Sequence, residues 1–204
     1  MHPASAFREA DEARLLGQLA AQPFATILAA PRGRLCVAHA PVVARSGPGG
    51  PCVDFHLSRA NALAGALADG VRAVAVSLGP DAYVSPDWYA SPDQVPTWNY
   101  LSVEAEGPVA ALDDEGLIAL LDDLSAQAEA RLAPKPPWTR AKMSPGRFEA
   151  MTRAIVGARL VVERLEGTTK LSQNKDAADR AGVIAGLGDH PIARLMAAAI
   201  PPRS

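Results

Sequence analysis

Three short segments bring together side chains that can do chemistry. Phe55-His56-Leu57-Ser58-Arg59-Ala60-Asn61 reads as a strand passing through a polar turn into an Ala- and Leu-rich helix. Ser58 or Asn61 can cap that helix, and first-turn amides together with the Arg59 guanidinium suit a phosphate. A well-capped helix with a surface arginine fits the same residues. In Val95-Pro96-Thr97-Trp98-Asn99-Tyr100, Thr97 and Asn99 alternate with Trp98 and Tyr100. A strand here puts hydroxyl and amide groups on one face and rings on the other. Asn99 offers a donor and an acceptor together, which matches the N and C=O rim of a flavin, pterin or nucleobase. Gly167-Thr168-Thr169-Lys170-Leu171-Ser172-Gln173-Asn174-Lys175 sets Lys170 and three hydrogen-bonding side chains, Ser172, Gln173 and Asn174, before a last helix. As a plain helix cap, the same run leaves Lys170 in solvent.

The aromatic residues are unevenly placed. The chain is 5% aromatic, yet Tyr83, Trp88, Tyr89, Trp98 and Tyr100 all fall in one Pro-punctuated segment. Tyr and Trp combine stacking area with a polar handle, which suits a ligand wall or an interface. A satellite core cluster beneath a long loop is the alternative.

The elements that must position these groups follow from periodicity. Asp11–Ala20 has Leu15, Leu16 and Leu19 at helical spacing and stops before Pro23. Phe24–Leu28 and Leu35–Val43 read as a hairpin about the turn Pro31-Arg32-Gly33, and Ser46–Pro51 reads as a loop before a strand over Val53–Leu57. A helix over Ala62–Ala68 and a strand over Ala73–Leu78 lead into the aromatic loop. A strand then runs from Tyr100 to Ala105 and through Gly107 towards Val109. Asp113-Asp114-Glu115 opens a Leu-rich helix where the dipole favours negative charge. Ala133–Trp138 is extended, Phe148–Ala154 a short helix and Ala158–Leu165 a last strand, with an Ala-rich helical tail from Asp176. Six or so strands joined by short hairpins imply an α+β, mainly antiparallel barrel with helices packed outside.

Composition narrows the functional classes. At 204 residues, 49% hydrophobic and 21% charged, the chain suits one globular domain. No apolar run approaches the roughly 18 residues of a membrane span, and Met1–Ser5 lacks a secretory pattern, so a cytoplasmic, membrane-free protein is expected. Net charge is −2, and the twenty Lys and Arg are spread along the chain, which gives little support to DNA binding. Cys36 and Cys52 lie in no zinc-like array and read as buried small hydrophobes. His39 and His56 fall on strands as packed histidines, and no metal site is expected. There is no dinucleotide fingerprint, Walker loop or G-x-S-x-G elbow.

Several words of the chain, taken in order, resemble one family. Gly79-Pro80-Asp81-Ala82-Tyr83-Val84-Ser85-Pro86-Asp87-Trp88-Tyr89, then Val95–Tyr100, then Lys170-Leu171-Ser172-Gln173-Asn174 are similar to the PaiB family of FMN-binding proteins. Phe24-Ala25-Thr26, Leu57–Asn61, Arg153–Gly157 and Ala177–Val183 extend the likeness over nearly the whole chain. The family is described as negative transcriptional regulators of protease synthesis and sporulation. The resemblance implies one domain over 1–204: a six-stranded FMN-binding split barrel with a helical tail from about 175, paired as a homodimer. It places the FMN phosphate at Ser58, Arg59 and Asn61, and the ring system against Trp98, Asn99, Lys170 and Gln173. Asp81 stands where members often have His, and Thr169 where an aromatic residue commonly precedes the lysine. The segment between Tyr89 and Val95 is shorter and less basic than is usual. Three functions are consistent with these residues: a PaiB-type regulator with DNA as a partner, an FMN-dependent oxidoreductase or flavin reductase without DNA binding, and an interaction module without flavin.

Overall fold

Eight strands arise in the computed structural model, which describes residues 4–67 and 70–199. They are β1 (Arg8–Glu9), β2 (Phe24–Ala29), β3 (Cys36–Gly47), β4 (Gly50–Ser58), β5 (Val71–Val84), β6 (Thr97–Ala111), β7 (Ile155–Val161) and β8 (Arg164–Lys170). The helices are α1 (Glu12–Ala21), α2 (Ala62–Ala66), α3 (Asp114–Ala130), α4 (Arg147–Thr152), α5 (Ala177–Leu187) and α6 (Pro191–Ala198). The sheet order is β1-β8-β6-β5-β2-β3-β4-β7, and β6 also pairs with β7, so six strands close into a ring. This is the antiparallel split barrel expected from the sequence. Among the described residues no helix is long and apolar enough to cross a membrane.

The chain forms two compact units, and β5 and β6 contribute to both. The larger comprises Leu16–Ser77 and Glu104–Leu165. Here burial follows the two-residue period of a pleated strand: Ala25 and Ile27 on β2, Ala38, Ala40 and Val42 on β3, and Val53, Phe55 and Leu57 on β4 point inward. β2 and β3 pair antiparallel from Phe24↔Pro41 to Ala29↔Cys36, the predicted hairpin. On the opposite face of β4, Asp54 is only 1% exposed and accepts from Arg159 Nε and Nη2 at 2.7 Å each and from Arg45 Nε at 2.9 Å. α3 packs against β3, β4 and β7. Its start is capped by Asp113, whose carboxylate accepts from Gly116 N–H at 2.8 Å.

The smaller unit comprises Met1–Leu15, Leu78–Val103 and Glu166–Ser204. Ala82, Val84, Tyr89, Leu171, Val183, Ile192 and Met196 form its core, with Trp88 packed against them. Trp88 lies over two glycines one helical turn apart on α5. A Cβ at Gly186 would fall 2.6 Å from Trp88 Cγ, and one at Gly182 would run into the Trp88 carbonyl oxygen. Here Trp88 and Tyr89 are core, the alternative reading of the aromatic segment.

Several boundaries differ from expectation, each for a local reason. The loop predicted over Ser46–Pro51 is a tight hairpin, because β3 and β4 stay paired to Gly47↔Gly50. Gly50 takes φ 89°, which an L side chain rarely adopts. The predicted strand Ala158–Leu165 is two strands, β7 and β8, separated by Val162-Glu163. The cause lies in a distant glycine: Gly107 brings β6 so close to Val161 that a Cβ there would meet the Val161 carbonyl. β5 runs on to Val84 and switches its inward face near Gly79-Pro80, so Ala73 and Ala75 are buried before it and Ala82 and Val84 after it. The tail breaks between Leu187 and Pro191, where Gly188 takes φ 57°. Ala68, the predicted end of α2, lies outside the described residues. Cys36 and Cys52 are free thiols and only half-buried, not the buried residues expected.

Candidate functional site

In the smaller unit, a cavity of about 200 Å³ is lined by Phe7, Tyr89, Val95, Thr97, Asn99, Lys170, Ser172, Asn174 and Lys175. Two ammonium groups line it and no carboxylate does. Lys170 ends β8, and its Nζ donates to Thr97 Oγ1 at 2.6 Å while lying 5.7 Å from the centre of the Phe7 ring. Burial pushes the Lys170 ammonium below the ordinary lysine range. Its hydrogen-bond partner is neutral, so an incoming electron-rich oxygen gains its charge. Lys175 Nζ lies 4.9 Å from the centre of the Tyr89 ring and donates to Gln94 Oε1.

The wall between these cations is held by side-chain hydrogen bonds. Asn99 is fully buried on β6; its Nδ2 donates to Ser172 Oγ at 2.9 Å and approaches Met196 Sδ at 3.4 Å. The Ser172 hydroxyl is placed 3.2 Å from Asn99 Oδ1. Ser172 itself takes φ 57°, a left-handed conformation held by this pairing and by the turn that ends in Lys175 N–H to Ser172 O at 3.0 Å.

Of the ring-edge residues predicted, the structure brings Asn99 and Lys170 to this cavity. Trp98 points to the other face of β6, as strand alternation demands, where it is 53% exposed and meets Tyr83 edge-on at 6.2 Å. Gln173 is spent on backbone: its Oε1 accepts from Leu171 N–H at 2.6 Å, and its Nε2 donates to the carbonyls of Ala6 and Thr169. Lys175, Tyr89 and Phe7 are additional lining groups. Lys175 stood five residues from Lys170 in the same word. Phe7 carried no signal, because only the two-residue pairing Arg8↔Thr168 and Glu9↔Gly167 brings the first strand to β8.

The predicted phosphate residues sit together in the larger unit, at the turn from β4 to α2. Ser58 Oγ accepts from Ala60 N–H at 3.2 Å, and Asn61 Oδ1 caps α2 by accepting from Leu63 N–H at 2.9 Å. Arg59 is exposed; its N–H donates to Ala154 O at 2.9 Å and its Nε to Arg153 O at 3.0 Å. The main-chain bond fixes the turn, and the Nε bond alone orients the guanidinium, whose terminal nitrogens are available to an anion. Asn61 serves the helix, so Arg59 carries the charge of this turn.

The closed six-stranded antiparallel ring defines the class as a split barrel. Residues 1–164 match the family model described as "Putative FMN-binding domain", and the chain belongs to that family, the one its sequence words resemble; its cofactor is a flavin. The protease synthase and sporulation protein PAI 2 of Bacillus subtilis is 33% identical over 121 residues, 58% of this chain and 57% of that protein. An uncharacterized Aspergillus fumigatus protein is 34% identical over 105 residues, 45% of this chain and 40% of its own length. The matches thus span about half the length of these relatives or less. Among solved structures, the FAD and heme binding protein of Mycobacterium smegmatis gives a TM-score of 0.60 at 20% identity, covering 90% of this chain and 81% of that one. A flavocytochrome of Azotobacter vinelandii gives 0.58 at 18% identity, with 89% and 78% covered. At these identities the likeness concerns the fold.

Proposed function

We propose that the cavity around Lys170 takes the carbonyl-bearing edge of FMN and that the flavoprotein acts as a PaiB-type negative transcriptional regulator. The observation that carries the flavin assignment is the partly buried Lys170 ammonium beside Lys175 in a cavity lined by no carboxylate. Such a cation attracts the electron-rich edge of an isoalloxazine and steadies the negative charge that accumulates there on reduction. Asn99 and Ser172 hold the wall in place, and Thr97 orients the lysine. Within the larger unit, Ser58 and Arg59 form a separate candidate turn for a phosphate, with Arg59 the stronger contributor. Trp98 is left for ring or subunit contact rather than for the cavity itself.

The regulatory part of the proposal draws on the likeness to PAI 2 of Bacillus subtilis, with flavin occupancy as the signal and the cytoplasm as the setting. A homodimer is its working form. Support comes from the outward face of β2 and β3, where Phe24, Leu28 and Val37 are left exposed as apolar side chains that a second copy would cover. The test is the absorption spectrum after FMN addition and gel filtration, which reports flavin retention and size together. Lys170→Met and Arg59→Ala each lower retention about tenfold if the assignment is right. Full retention in both variants overturns the residue assignment. Sequence-selective DNA retention that survives moderate salt supports the regulator; consumption of NAD(P)H with a quinone, without DNA retention, favours an oxidoreductase.

A further inference from the structure

A second cavity, of about 310 Å³, lies in the larger unit where α3 meets α4 and the segment before it. It shares no lining residue with the cavity around Lys170. Its apolar wall is made by Trp138, Met143, Phe148 and Met151, and its polar groups include Asp122 and Arg140. Trp138 remains 39% exposed and Met151 56% exposed, so flat and polarizable surface is left in water. Indole rings and thioethers both favour contact with an aromatic ligand. Arg140 lies 5.4 Å from the centre of the Phe148 ring and 3.2 Å from Asp122, which fixes a guanidinium and a carboxylate side by side.

Charge at this place departs from the rest of the chain. Arg131–Arg153 carries six of the twenty Lys and Arg and a single acid, Glu149, although the chain as a whole is net negative. Lys142 directly precedes the lining residue Met143, Arg147 precedes Phe148, and Arg153 follows Thr152, which also lines the cavity. None of these three cations makes a salt bridge with another described residue. An aromatic wall and one carboxylate, with Lys142, Arg147 and Arg153 next to lining residues in the chain and Lys142 Nζ donating to Pro137 O at 2.8 Å, match a ligand with a flat ring, an amino group and a phosphate.

We propose that this cavity binds a nucleotide. The base rests against Trp138, Phe148 and the methionines, an exocyclic amine donates to Asp122, and Arg140, Lys142 and Arg147 draw the phosphate. The site goes beyond the flavin assignment and does not rest on it.

FMN-loaded protein is titrated with AMP, adenosine, ribose 5-phosphate and a single-stranded oligonucleotide, with tryptophan fluorescence and equilibrium dialysis as readouts. AMP binds, adenosine and ribose 5-phosphate bind at least about tenfold more weakly, and Trp138→Ala and Arg147→Ala each weaken AMP about tenfold. Trp138→Phe retains most of the affinity. Melting temperature and the flavin spectrum, followed in parallel, stay unchanged in Arg147→Ala, which separates loss of this site from loss of fold or of FMN. Absence of AMP binding at millimolar concentration, AMP binding indifferent to Trp138→Ala, or binding of the oligonucleotide alone each overturns the proposal.

Discussion

Asn99 and Ser172, 73 positions apart in the chain, meet as a reciprocal buried pair in the wall of the cation-lined cavity, with side-chain distances of 2.9 and 3.2 Å. The amide that could have read a heterocycle is instead what holds Ser172 in its left-handed conformation. Asn99→Ala leaves the buried Ser172 hydroxyl with Tyr89 as its remaining side-chain partner. The expected cost is about 1 kcal/mol, the net worth of a typical hydrogen bond. Urea denaturation measures it. Ser172→Gly tolerates φ 57° but strands the fully buried Asn99 amide, so its cost is the larger of the two.

This pair also marks how far the sequence could be read. Strand alternation correctly separates Trp98 from Asn99, and the split-barrel class follows from hairpins such as β2–β3 and from recognisable words such as Val95–Tyr100. Periodicity does not say which face of β6 forms the cavity wall and packs against α6. Met196, whose sulfur lies 3.4 Å from Asn99, is 97 positions away and belongs to a tail that reads only as Ala-rich helix. The same holds for Phe7, brought to Lys170 by a two-residue strand too short for any period to reveal. Gly107 looks like a weak point inside a strand, yet its missing side chain admits the Val161 carbonyl and turns one expected strand into two.

The seating of Trp88 on α5 gives a steric prediction. Gly186→Ala places a methyl group against the indole ring, which must shift, at a cost of about 1–3 kcal/mol. Gly182→Ala meets the Trp88 carbonyl, which is backbone and yields less, so its destabilisation is the larger. Thermal melts of the two variants check the order. An equal or reversed ranking would mean that the Pro86–Trp88 turn moves as freely as the ring.

Asp54 supports a coupling prediction in the larger unit. Arg159→Met leaves the buried carboxylate with Arg45 alone and costs about 2 kcal/mol, a figure kept low because both guanidiniums are partly exposed and screened by water. Adding Asp54→Leu to Arg159→Met removes the stranded charge and recovers part of that loss. The double-mutant cycle therefore gives a coupling energy clearly different from zero; simple additivity would show that the pair contributes no net interaction.

Asp179 should make the smaller unit sensitive to acid. Its side chain is 2% exposed and accepts from Ser91 N–H at 2.8 Å and from Ser91 Oγ at 2.9 Å. These bonds, the backbone one foremost, hold its carboxyl below the ordinary aspartate range, with the nearby Lys175 assisting. A folded-state pKa below the unfolded value means that the unfolded chain binds the extra proton first. The stabilisation is thus fully present above the unfolded pKa of about 3.9 and is lost as pH falls through the folded value. Asp179→Asn keeps the shape but surrenders the charge and one acceptor. Its melting temperature lies below wild type at pH 7, and the gap narrows as pH drops below about 4. A gap that stays constant across this range would show that the Ser91 contacts do not depend on the ionised carboxylate.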